Sequence, residues 1–121
     1  MDKAQAIQKF WSSFGLEAYD ENSVPQTAQL PYITYRVSTG SFGQVLNLTG
    51  SIWYRSLSWA EISRKADEIA RRIGIGYSID KVDGGYVWIT QGTPFAQRMS
   101  DEDASIRRIY INLNAEFLTA Y

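Results

Sequence analysis

The sequence predicts an α+β domain: a mostly antiparallel sheet of about five strands with two helices packed on one face, in the order α-β-β-α-β-β-β. Three observations carry this expectation. Two segments space their apolar residues as helices do. The last segment, from Ile106 onward, alternates apolar and polar residues as a strand with one wet face does. The run Asp83-Gly84-Gly85 lies between two strand-like stretches and supplies the positive φ that a tight hairpin needs. With 121 residues and no visible repeat, linker or low-complexity tract, one domain over 1–121 is expected.

The first helix is read from DKAQAIQKFWSSFG. Ile7, Phe10, Trp11 and Phe14 form one apolar stripe, Asp2 is placed to cap the start, and Gly15 to end it. The stretch LEAYDENSVPQTAQLP has no strong period and reads as a long loop, either a surface crossing or a functional segment. YITYRVS and GQVLNLTGSIWYRS read as paired strands joined by TGSFG. Ile33, Tyr35 and Val37 share a face, as do Leu46, Leu48, Ile52 and Tyr54. Gly50 interrupts the second run, a mark of a bulge or a close backbone approach. Gly40 and Gly43 flank Phe42 without the lysine of a phosphate-binding loop. Phe42 either folds back onto the sheet or presents an aromatic tip to another surface.

SLSWAEISRKADEIARRIG is the clearest helix. Ser58 and Glu61 match a capping box, Trp59, Ile62, Ala66, Ile69 and Ile73 trace the apolar face, and Gly74 is a natural stop. Asp67 and Arg71 are spaced to pair, and Arg64, Lys65, Arg71 and Arg72 read as a solvated face. GYSIDKVDGGYVWITQG reads as a hairpin. Tyr77 and Ile79 lead into its turn, Val87 and Ile89 line one face of the return strand, and Tyr86 and Trp88 line the other. TPFAQRMSDEDAS, with Pro94 and the acids Asp101, Glu102 and Asp103, reads as a second break. The final strand alternates Ile109, Ile111, Leu113, Ala115 and Phe117 with Arg108, Tyr110, Asn112, Asn114 and Glu116.

Large groups therefore fall on both faces of several strands. Tyr32, Trp53, Tyr86, Trp88 and Tyr110 belong to the face opposite the core. Either the sheet bends into a partial barrel and hides these rings, or a neighbouring subunit covers them. Aromatic rings suit such an interface, because each buries a large area at low entropic cost.

Composition narrows the function. The chain has no Cys and no His, which excludes disulfides, thiolate or imidazole metal sites and Ser-His-Asp chemistry. Catalytic, cofactor and metal residues are expected to be none. The carboxylate pairs Asp80 with Asp83 and Glu61 with Asp67 have ordinary places at a turn and on a helix surface. Net charge is −1, and no basic block marks a duplex-binding surface. A single-stranded nucleic-acid module would stack bases on the sheet aromatics, but such modules normally add a basic groove. No apolar run approaches the roughly 18 residues of a membrane span, and no apolar signal core is visible at the N-terminus, so a non-membrane protein is expected.

FWSSFG, AYDENSVP, LPYITYRV and WAEISRKADEIARRIG, followed by a hairpin and a long last strand, resemble the tail terminator (tail-completion, or minor capsid) proteins of long-tailed bacteriophages. The resemblance runs over nearly the whole chain and rests on order and length more than on any one motif. It implies a cofactor-free structural protein forming a ring, usually a hexamer, at the head-proximal end of the tail tube. Such a ring stops tube polymerisation and provides the head–tail joining surface. The implied partners are further copies of the chain, the tube protein and head-completion proteins, with DNA only as passing cargo. The implied location is the virion, with the host cytoplasm during assembly. A neck or head-completion connector is the neighbouring alternative. On this reading Tyr32, Phe42, Trp53, Tyr86, Trp88 and Tyr110 are candidate interface residues. Asp20, Glu21, Asp101, Glu102 and Asp103 are candidate lumen or docking-loop acids. The segments Leu16 to Leu30 and Gln91 to Ser105 are expected to order on docking.

Overall fold

The structure, a computed structural model, describes residues 1–74 and 78–121, with backbone alone for 78–80. Tyr77, expected to lead into the hairpin, lies outside the described residues. So do the side chains of Ile79 and Asp80, and with them the Asp80–Asp83 pair. The elements run α1 (Lys3–Ser12), β1 (Glu17–Asp20), β2 (Tyr32–Tyr35), β3 (Gln44–Arg55), α2 (Ala60–Ile73), β4 (Ser78–Val82), β5 (Gly85–Met99) and β6 (Ile106–Thr119). They build an α+β fold around one six-stranded sheet in the order β1-β2-β3-β6-β5-β4. Every pairing is antiparallel except β1 with β2.

Two departures from the expected element map stand out. Glu17–Asp20, read as loop, is a strand, and the sheet has six strands instead of about five. It has only four residues and one inward apolar side chain, Ala18, so no alternation announces it. Gln91–Met99 is also strand. β5 continues past Pro94 through an irregularity between Gln91 and Ala96, where Gly92 backs onto β6 so closely that a Cβ would lie 2.6 Å from the Asn112 carbonyl oxygen. The segments between strands thus shrink to residues 21–31 and 100–105.

The core lies on one face of the sheet. β6 sends Ile109, Ile111, Leu113, Ala115 and Phe117 inward, and they meet Ile33, Leu48, Ile52, Val87 and Ile89 from the flanking strands. Both helices cover this face. α2 lays Ile62, Ala66, Ile69 and Ile73 over β3, β6 and β5. α1 packs on β1 and β2 and also on β4 at the far edge, so the sheet curls around it. Its Phe10 meets Trp11 and Phe14 edge-on, with ring centroids 5.2 and 5.3 Å away.

Local signals behave as follows. Asp2 caps α1 with Gln5 in a reciprocal capping box. Gly15 and Gly74 have positive φ beyond their helices, and Asp83-Gly84 is the two-residue turn between β4 and β5. The expected capping box on α2 does not form. The helix begins one residue later, at Ala60, and the Ser58 hydroxyl accepts the Ala60 N–H at 3.0 Å. The ion pair on that helix joins Lys65 to Glu68, not Asp67 to Arg71. Gly50 marks a close approach, made by Trp11, whose ring would lie 2.9 Å from a Cβ at that position.

Candidate functional interface

Among the described residues, no helix packs on the outer face of the sheet. Strand register arranges it in rows. At one end, Glu17, Tyr32, Trp53, Arg108 and Met99 form a row, followed by Tyr19, Thr34, Ser51, Tyr110 and Gln97. In the middle, Thr49 pairs with Asn112, and Asn47, Asn114 and Thr90 form a row. At the other end, Val45, Glu116 and Trp88 share a row, with Leu118 and Tyr86 beyond. Two aromatic ends are thus separated by an amide and hydroxyl band.

The first end is locked by side-chain contacts. The Trp53 indole N–H donates to Thr34 Oγ1 at 2.9 Å, and Arg108 lays its guanidinium 4.7 Å over the Trp53 ring while Nε donates to Ser51 Oγ at 3.0 Å. Tyr19 and Tyr32 pack edge-on at 5.7 Å. These rings are half-buried within the monomer. The second end is open: Val45 is 60% exposed, Tyr86 49% and Trp88 36%. Phe42 is 75% exposed and does not fold back, although its N–H donates to the Thr119 carbonyl and holds the loop on the end of β6.

The sheet therefore brings Tyr32, Trp53 and Tyr110 together at one end and Tyr86 with Trp88 at the other, and leaves Phe42 on a separate loop. The sequence reading does not name Arg108, Val45 or Met99 as interface candidates, although it puts Val45 on the face of Trp53 and Arg108 on that of Tyr110. Parity along β3 and β6 points to the first two, since they alternate with core residues.

The acidic candidates do not form one group. Asp20 ends the edge strand β1 and Glu21 follows it, whereas Asp101, Glu102 and Asp103 lie between β5 and β6. Glu21 pairs with Arg36 at 2.8 Å, which raises the Arg36 pKa. Asp103 accepts the Ser105 hydroxyl and N–H and pairs with Arg55, and these bonds hold its carboxyl below the usual aspartate range. Burial, followed by the nearby Asp20 charge, raises the Tyr35 pKa. Glu61 and Asp67 line a polar hollow on α2 together with Arg64, Lys65 and Arg71. Among the described residues no cluster of three or more Asp or Glu could hold a metal ion, and no helix is long and apolar enough to cross a membrane.

No family model matches the chain, and no curated protein matches it in sequence. Its fold is similar to that of a chain in the virion of a native gene transfer agent particle. The superposition has a TM-score of 0.53 at 16% identity and covers 90% of this chain and 81% of the other. At that identity the likeness is one of fold.

Proposed function

We propose that this chain is a structural protein of a phage-like virion. Within that class we propose the role of tail terminator: a ring of copies, hexameric on the resemblance, seated on the head-proximal end of the tail tube, where it halts polymerisation and receives the head-completion proteins. The observation that carries the reading is an uncovered sheet face with exposed aromatic side chains on a fold shared with a virion chain. The resemblance noted in the sequence supports the narrower role. The protein acts by fitting surfaces together, so it requires no cofactor or reacting side chain. Tyr86, Trp88 and Phe42 are its contact residues, with Val45 joining them, and Tyr32, Trp53 and Tyr110 extend the surface toward the other end of the sheet. A filter-binding assay against single-stranded DNA tests the nucleic-acid alternative, whose signature is salt-sensitive retention.

Negative-stain imaging of particles assembled without this protein tests the role. Over-long tubes lacking heads are expected. Filled tailless heads beside free tubes of normal length would overturn the terminator role in favour of a neck connector.

A further inference from the structure

The two ends of the sheet differ in which strands form their edges. At the Ile106 end of β6 the rows run from Glu17–Asp20 on β1 to Met99–Ala96 on β5. β4 pairs only with Gly85–Ile89, so the Ala96–Met99 half of β5 has β6 on one side and no described strand on the other. β1 likewise has β2 on one side only. The connection 21–31 hydrogen-bonds the β1 backbone only through Ser23 N–H to the Asp20 carbonyl. These are two four-residue edges at the same level of the sheet. At the opposite level the edge strand on one side is β4, with β5 as its one described strand neighbour, and on the other side residues 40–44 crowd the start of β3.

We propose that these two edges pair with each other between copies of this chain, β1 of one subunit adding to the Ala96–Met99 half of β5 of the next. This deepens, and rests on, the reading that copies of the chain form a ring. Three features favour the arrangement. First, direction. β1 and β2 run one way, β3 the other, β6 as β2 does, and β5 as β3 does. Rotating the subunit about an axis along the strands sets β1 antiparallel to the neighbouring β5, the better-bonded geometry. Second, level. Because the edges share the same rows, the contact needs no translation along that axis, and a head-to-tail contact without rise closes into a ring instead of a filament. Third, charge. Glu17 and Asp20 make the β1 edge acidic and Arg98 makes the β5 edge basic, so like edges repel and unlike edges attract. With rows aligned, Tyr19 faces Gln97 on the outer face and Asp20 faces Ala96, diagonal to Arg98, on the inner one. Pairing also stitches the outer face into one continuous surface around the ring.

The chain has no cysteine, so engineered thiols report cleanly. The double variant Tyr19→Cys with Gln97→Cys is built into particles and treated with a short bis-maleimide. A denaturing gel should show a ladder of multimers ending at the ring number, while each single variant stays monomeric. Asp20→Cys with Ala96→Cys provides a second pair on the opposite face, should the first fail to enter particles. Incorporated subunits of either pair that remain monomeric would overturn the edge pairing, as would single variants that cross-link to dimers, the mark of like edges meeting. This readout is separate from the imaging test. A full ladder in particles whose deletion yields free tubes of normal length retains the pairing and removes the terminator role. Over-long tubes on deletion with no ladder do the reverse.

Discussion

Gly50 is small because Trp11 occupies the space a side chain would take. A Cβ there would lie 2.9 Å from the Trp11 ring and 3.0 Å from the Thr34 carbonyl oxygen, and neither a buried indole nor a sheet backbone gives way easily. Gly50→Ala should therefore cost about 1–3 kcal/mol of unfolding free energy in a urea titration, the usual range for overpacking. Tyr35 makes a different prediction. Burial and the Asp20 charge raise its pKa, so the fold favours the neutral phenol. That contribution is whole below the ordinary tyrosine range, at roughly pH 10, and is lost as pH rises through the higher folded value. Tyr35→Phe should be near neutral at pH 7 and should flatten the alkaline loss of stability. Tyr54, shifted the same way by burial, Glu61 and Glu68, retains part of that loss. Thermal melts from pH 8 to 11 read both effects.

At the scale of elements, legibility followed length and coverage. α1, α2, β3, β6 and the Asp83-Gly84 turn were readable because each carries a long period or a turn residue with one geometric use. The parity of β2, β3, β5 and β6 placed Tyr32, Trp53, Tyr86, Trp88 and Tyr110 on the outer face, so most of the candidate surface was legible too. β1 was hidden because four residues hold too few inward positions to show a period. The second half of β5 was hidden because it runs beyond the helices: its inward Ala96 and Arg98 are exposed, and a strand with two wet faces does not alternate. The exposure of Phe42 and the separation of the acidic groups depend on how loops return to the sheet, which no local pattern encodes. Trp59 marks where α2 meets this outlying region. The guanidiniums of Arg98 and Arg107 lie 4.8 and 5.1 Å from the centre of its half-buried ring. Trp59→Ala removes both cation–π contacts and the ring's burial, a loss of about 2–3 kcal/mol, measured as a fall in the urea midpoint with unchanged slope.

For the whole molecule the division of labour is between a closed inner face and an open outer one. The inner face determines whether the chain folds, since it holds the buried apolar side chains of the sheet and both helices. The outer face contributes little to folding where it is most exposed, at Val45 and Tyr86. These are ordinary surface positions for an isolated monomer and, under the proposed function, central positions of the contact surface. Val45→Lys with Tyr86→Lys separates the two. Surface changes away from caps, networks and cores move stability by roughly 0.5 kcal/mol or less each, so the double variant should melt within a few degrees of the wild type. Its added charges would have to be desolvated against a partner, and charged groups left unpaired in an interface core are strongly unfavourable. Incorporation into particles should therefore fall at least tenfold, read by quantitative immunoblot of purified virions, while soluble yield stays normal. A variant that enters particles at the wild-type level would show that this end of the sheet meets solvent in the assembled state and would move the contact surface to the edges and the Phe42 loop.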